Sequence, residues 1–422
     1  MVSSMAEGLI YDVKLSSVGP GNAIEPDMVH EPSDMDLAMK LHYLKGIYYF
    51  GKQAFEGLTT INIKEPLFIL LNDFPVICGR FRRAESGRPY IKCNDCGVRF
   101  LEAKCEKTMD EWLEMIKENA SLEKYLTPNQ IIGPEIAFSP TVLLQYTKFK
   151  CGGMSVGLSW AHVLGDAFSA AEFLNLLGKV VAGEKPNRPI KTKSTNSESL
   201  LKDMEDPLSV KRAGPVGDNW ITVNNSKMEA FSFSVNAAQL SHLQSKISSN
   251  ATDFSPFEAI SAVIWQCVAK IRESEPKVVT ICKMMEQNKA DGNNQLMSVV
   301  KAAYPIVEAN PSELAELMKN SAFDQREKIE NAIKKDNGVS DLIVYGANLT
   351  FVNLEEAKFY EFDYRGEKPV YVSYRVDGVG DEGAVFVLPG PPKNGGMTVM
   401  AILPENEVTE LKLELKTEWF MD

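Results

Sequence analysis

The feature that most restricts this chain is a pair of strand-like runs, Val142 to Phe149 and Met154 to Trp160, joined by Lys150-Cys151-Gly152-Gly153. In the second arm Met154, Val156, Leu158 and Trp160 alternate with Ser155, Gly157 and Ser159, which puts an apolar row on one face and small or polar groups on the other. The alternation predicts a half-buried hairpin strand. It ends at Ala161-His162-Val163-Leu164-Gly165-Asp166, after which Phe168, Ala171 and Leu174 fall near helical spacing and predict a helix to about Val181. His162 is therefore expected on a strand-to-helix turn, where a side chain can project from a rigid scaffold.

Mixed elements recur on both sides of that hairpin. Leu9 to Val18 reads as a strand ending at Gly19-Pro20-Gly21, and a helix is expected around Lys64 to Asp73 with Pro66 in its first turn. Val76 to Arg83 and Arg88 to Asn94 read as a strand pair about the turn Ala84-Glu85-Ser86-Gly87. From Gly183 to about Ser209 prolines, lysines and small polar residues crowd together and hydrophobic periodicity vanishes, as in an interdomain linker. The pattern resumes at Ser255-Pro256-Phe257-Glu258, a helix start with hydroxyl cap, first-turn proline and reciprocal glutamate, followed by the stripe Phe257, Ile260, Ile264, Val268 and Ile271. Strands are expected near Val278 to Lys283, Leu296 to Ala303, Asp341 to Asn353, Val370 to Val376, Ala384 to Leu388 and Met397 to Leu403. A polar helix or helix pair spans Ser312 to Lys335, and a last helix starts at Glu405. Helices and hairpins in both halves imply two α+β domains, residues 1–182 and 210–422, joined by a crossover linker over 183–209.

Composition narrows the function classes. With 44% hydrophobic and 24% charged residues in 422, the chain is an ordinary globular protein rather than a disordered, collagen-like or multi-span membrane protein. Its 57 acidic against 45 basic side chains leave a net charge of −12, which argues against nucleic acid and against electrostatic capture by anionic lipid. Apolar runs such as Leu67 to Leu71 are far short of the ~20 residues of a transmembrane helix. Glu7 and Asp12 interrupt what would be the core of a secretory signal, and the 7 scattered cysteines read as reduced thiols in a cytosolic setting.

Few residues suggest chemistry by themselves. An imidazole with an ordinary pKa near ~6.5 can take a proton from a hydroxyl or amine, so His162 with Asp166 is a candidate general-base pair. The alternative is a buried, hydrogen-bonded histidine followed by an aspartate that caps the next helix. Cys93-Asn94-Asp95-Cys96 has the spacing of a zinc or redox half-site but lacks a second ligand pair at usable spacing, so it reads as a reduced turn and no metal is expected. Gly378-Val379-Gly380-Asp381-Glu382-Gly383 matches a dinucleotide fingerprint literally, yet a strand follows it and its acidic pair would repel a pyrophosphate. Arg80, Arg82, Arg83, Arg88 and Lys92 concentrate charge on the early hairpin, either a solvated strand face or a surface for a phosphate or an acidic partner.

Three features together resemble the BAHD acyltransferase superfamily of plants: His162-Val163-Leu164-Gly165-Asp166 after a β-arm ending in Ser159-Trp160-Ala161, the late Asp363-Tyr364-Arg365-Gly366-Glu367, and a linker between two similar-sized halves. The resemblance implies a chloramphenicol-acetyltransferase-like fold in which the histidine is general base toward an acceptor that attacks an acyl-CoA thioester, while Asp166, Asp363 and Gly366 are structural. A narrower likeness spans nearly the whole chain. Asp12 to Val18, Asp36 to Lys45, Gly87 to Gly97, Lys148 to Gly153 and Tyr345 to Phe351 resemble the Eceriferum/Glossy branch of cuticular-wax proteins. That branch implies an accessory role in very-long-chain fatty-acid elongation, beside a condensing enzyme of the 3-ketoacyl-CoA synthase type, on a cytosolic chain held at the endoplasmic reticulum by a membrane-bound partner. Acyl-CoA is then a substrate or ligand and no cofactor is bound tightly.

Departures from the catalytic pattern point the same way. Tyr364, Arg365 and Glu367 break the late motif, and Ala167 stands where glycine is usual. Ile281-Cys282-Lys283 replaces the run whose arginine would pair with the aspartate, and no Gly-Asn element is recognisable in Leu296 to Val300. The competing expectation is a true acyl-CoA-dependent transferase with His162 as base toward an alcohol or amine. A third is a scaffold whose interior binds nothing.

Overall fold

The computed structural model describes residues 8–128, 139–185, 205–214, 216, 224–248, 253–285, 292–320, 322–393 and 395–419. Of the segment 183–209 read as a linker, residues 186–204 lie outside the described ones. Two large mixed sheets organise the chain. The first has the order Ile10–Val18, Val98–Cys105, Val142–Phe149, Met154–Ala161, Tyr43–Phe50, Tyr371–Asp377. All its pairs are antiparallel except Val98–Cys105 with Val142–Phe149. The second runs Met228–Val235, Met397–Pro404, Ala384–Pro389, Leu349–Asn353, Val278–Met284, Gln295–Lys301, Phe323–Asp324, with Leu349–Asn353 parallel to both neighbours. Thus the fold is α+β, as its mixed pattern implies, but Tyr371–Asp377 leaves the C-terminal group of strands and completes the first sheet against Tyr43–Phe50.

Alternation along single strands sorts side chains between three cores. On Tyr43–Phe50, Tyr48 and Phe50 point into the largest core, whereas Ile47 and Tyr49 join Trp112, Ile116, Leu122 and Leu126 on the opposite face. On Ala384–Pro389, Phe386 and Leu388 enter the large core while Val385 and Val387 face the helix Pro256–Ile271. The large core therefore joins both sheets, with Cys282, Met297, Val352 and Met400 of the second packed among residues of the first. Its extent is a physical reason for the two halves to hold one arrangement, at roughly 1.5–3 kcal/mol per large apolar side chain buried.

Local chemistry explains the element ends. Ser255 and Glu258 form the expected capping box, with Oγ accepting from Glu258 N at 3.3 Å and Oε2 accepting from Ser255 N at 3.0 Å. Ser312 to Lys335 resolves into two helices, Pro311–Asn320 and Arg326–Lys335. Elsewhere the chain departs from expectation. The helix expected from Lys64 starts at Thr60, because Thr59 and Asn62 cap each other, and Pro66 sits inside it. Pro75–Cys78 is a helical turn rather than a strand, and the early hairpin is only Arg80–Arg83 with Pro89–Lys92.

The central strand Met154–Ala161 is not half-buried: every residue in it is buried. Its small face is covered by the segment Ala120–Leu126, which approaches so closely that a Cβ at Gly157 would stand 1.9 Å from the Leu126 carbonyl oxygen. Ser155, Gly157 and Ser159 are small to admit backbone, not to meet water. Below the same segment Lys45 is buried, its Nζ bonded to Ser159 Oγ and the Pro128 carbonyl at 2.8 Å each and 3.5 Å from Asp377. No helix among the described residues is long and apolar enough to cross a membrane.

Candidate functional site

The strand Met154–Ala161 hands over to one 3-10 turn, His162–Leu164, and then to the helix Ala167–Val181. Gly165 makes the handover with φ +143°, and a Cβ there would collide with Ser169 Oγ at 2.7 Å. Trp160 Nε1 donates to the Gly165 carbonyl at 3.1 Å, and His162 N donates to the His42 carbonyl at 3.1 Å. The turn is thus held by the end of its own strand and, at His162 N, by the residue just before the neighbouring strand Tyr43–Phe50.

Asp166 caps its helix as the sequence suggests: Oδ1 accepts from Phe168 N and Ser169 N, both at 3.1 Å. Its other oxygen accepts from Asn294 N at 3.2 Å, at the head of a strand in the second sheet. Three backbone N–H groups satisfy the carboxylate without any arginine. Lys283, at the place where an arginine was sought, pairs instead with Glu258 at 3.3 Å. Burial pushes the Asp166 carboxyl up to about 6 against the opposing pull of those hydrogen bonds.

Around His162 converge groups from the C-terminal half. Nε2 lies 2.9 Å from the Tyr345 hydroxyl, which donates to Gln295 Oε1 at 2.8 Å. Asn293 Nδ2 donates to the His162 carbonyl and to Asp36 Oδ1, both at 2.8 Å, and Asn293 N donates to the same Asp36 oxygen at 3.0 Å. Gly292-Asn293 is a Gly-Asn pair just ahead of the Leu296 to Val300 stretch in which the sequence showed none. His42 packs its ring 4.9 Å from that of Tyr345, and its Nε2 accepts from Val344 N at 3.1 Å. His162 faces the contact between the halves, yet it and His42 are both fully buried, with Tyr345 and Gln295 at 1% exposure.

This environment sets the chemistry of the imidazole. Burial holds His162 down to about 4 and His42 down to about 3, so both rings are neutral at physiological pH. One hydrogen bond joins Nε2 to the Tyr345 hydroxyl, so whichever of the two carries the shared proton, that ring nitrogen is engaged. A general base must bring a lone pair within ~2.6–3.2 Å of the proton it removes. At His162 Nε2 that position is held by Tyr345.

The remaining candidates lie elsewhere. Asp363 Oδ1 accepts from Gly366 N at 2.6 Å, and the Asp363 backbone abuts Gly178 near the end of the helix that Asp166 begins. At 1.5 Å rise per residue this is roughly 18 Å from the cap, so Asp363 and Gly366 do not join the His162 cluster. Tyr364 stacks on Phe55 at 4.3 Å. Cys93 is buried and Cys96 exposed, both as free thiols. The early hairpin is not a simple solvated face: Arg80 is 4% exposed and donates to the carbonyls of Cys78, Gly79 and Gly97, while Arg88 pairs with Asp34 at 3.0 Å. Reading the sequence missed His42, Asp36, Gln295, Asn293 and Tyr345 as site residues. The only signal was polar residues in otherwise apolar runs; Asp36 and His42 lay in a stretch that carried family likeness, and Tyr345 in one that carried it and was also read as a strand.

Comparison with known proteins agrees with this architecture. The model of the Transferase family matches residues 30–417. The chain is 40% identical to Protein ECERIFERUM 26-like of Arabidopsis thaliana, over 99% of this chain and 97% of that one. It is 35% identical to Protein ECERIFERUM 2 of the same plant, over 96% and 98% respectively. Among solved structures vinorine synthase superposes with a TM-score of 0.71 at 18% identity, covering 96% of this chain and 97% of that chain.

Proposed function

Because this chain belongs to the Transferase family, the BAHD superfamily, in its Eceriferum branch, we propose that it serves very-long-chain fatty-acid elongation for cuticular wax as an accessory protein rather than as an acyltransferase. It would act beside a condensing enzyme of the 3-ketoacyl-CoA synthase type and change which acyl chain that enzyme extends. The chain itself would be cytosolic, brought to the endoplasmic reticulum by the membrane-bound partner, with acyl-CoA as its ligand class.

One observation carries the non-catalytic part of this reading: the imidazole that transfer would need is fully buried and its Nε2 is already bonded to Tyr345. The replacement of a side-chain partner for Asp166 by backbone N–H groups supports it. The competing reading, acyl-CoA-dependent transfer with His162 as base, draws on the retention of His162 and Asp166 in one turn. Elongation reconstituted with a condensing enzyme, with and without this chain, separates them. Longer products in its presence, with no ester or amide formed by the chain alone, are expected. Acyl transfer by the chain alone with no change in product length would establish the competing reading.

A further inference from the structure

We propose that the Tyr345 side chain fills an acceptor subsite built for a small phenol or alcohol, so that the chain carries its own occupant where a transferring relative would receive a substrate hydroxyl. The inference rests on the reading that wild-type His162 performs no transfer, and adds which side chain prevents it.

Four features support it. The Tyr345 hydroxyl lies at hydrogen-bond distance from His162 Nε2, the separation required between a base and the hydroxyl it activates. A second polar group, Gln295 Oε1, converges on the same oxygen from another strand. The walls are aromatic, with His42 at 4.9 Å, His162 at 5.5 Å and Phe386 at 5.8 Å from the tyrosine ring. This is a mostly apolar enclosure with few convergent polar groups, the usual composition of a small-molecule site. Finally, the occupant comes from a different part of the chain than the histidine, delivered just ahead of the strand Leu349–Asn353, so its removal leaves His162 on its own support from Asn293 and His42. Truncating such a ring leaves a hole of roughly the size that admits benzene-like guests in other protein cores.

The four histidines of the chain provide an internal test, because diethyl pyrocarbonate modifies neutral, reachable imidazoles and His242 is exposed whereas His42 and His162 are not. In the wild type and in Tyr345→Phe, which retains the ring, carbethoxylation of His162 mapped by mass spectrometry should run at least ~100-fold slower than that of His242, since it must wait for local opening. In Tyr345→Ala it should rise to within about tenfold of His242, and added p-cresol, the missing side chain as a free molecule, should restore protection of His162 while His242 stays reactive. Tyr345→Val is the second variant if the alanine does not hold the fold, with the same pattern expected. A wild-type His162 as reactive as His242, a folded small-residue variant that remains protected, or p-cresol without effect would each overturn the proposal. The elongation assay can fail while this pattern holds, and the reverse, so the two claims are separable.

Discussion

Asp166 is bonded on both sides of the site, to the helix it caps and to Asn294 of the opposite half. Loss of a cap costs about 0.5–2 kcal/mol, and an orphaned buried N–H adds about 1–3 kcal/mol. Asp166→Ala should therefore lower stability by about 2 kcal/mol or more, read as a fall in denaturant midpoint; an unchanged midpoint would contradict the geometry. The two buried histidines give a pH signature. Their folded values lie at about 3 and about 4 against the ordinary 6.5, so they contribute stability above pH 6.5 that is lost as the unfolded chain takes up protons on acidification. Asp166, raised from 3.8 to about 6, acts in the opposite sense, favouring the folded chain as pH falls. Comparing wild type with His162→Ala between pH 6.5 and 4 isolates one proton: the wild type should lose stability more steeply, by about 1.4 kcal/mol per pH unit. Equal slopes would show that His162 titrates alike in both states. His162 and Asp166 were legible because a strand pattern stops and a helical one starts at them. Tyr345 was not, because nothing in its own neighbourhood tells which of the chain's tyrosines meets a histidine 183 positions away.

At the scale of elements, periodicity located the central hairpin but misjudged its surroundings. Serine and glycine on alternate positions look the same whether they face water or a closely packed backbone, and here the segment Ala120–Leu126 covers them. Gly157→Ala tests which it is. Solvent on that face would make the change near neutral, whereas a collision with the Leu126 carbonyl should cost about 1–3 kcal/mol or more, seen in thermal or denaturant unfolding. The early helix was misplaced for a related reason, since its cap uses Asn62 where a Glu or Gln gives the familiar signature. The arginine-rich hairpin shows the limit of counting charges: Arg80 is spent on three carbonyls and Arg88 on Asp34, so this cluster offers a partner much less positive surface than its sequence suggests.

For the whole molecule, the two-part α+β architecture was legible because strands and helices alternate in both halves, but their interlocking was not. Tyr371–Asp377 has the composition of any buried strand, and only long-range pairing with Tyr43–Phe50 reveals that it belongs to the first sheet. That crossing, together with the shared core, brings Tyr345, Gln295 and Asn293 onto His162 and closes the site. On the proposed accessory role the intact surface, not the imidazole, is the working part of the molecule. The most direct measurement is the chain-length profile of products from elongation reconstituted with a condensing enzyme and either wild-type or His162→Ala protein of equal foldedness. General-base catalysis contributes about 10²–10⁴-fold to rate, so a transferase would lose nearly all of its effect on substitution. The account predicts that His162→Ala retains most of the shift toward longer chains; loss of that shift in a well-folded variant, with acyl transfer by the wild type alone, would contradict it.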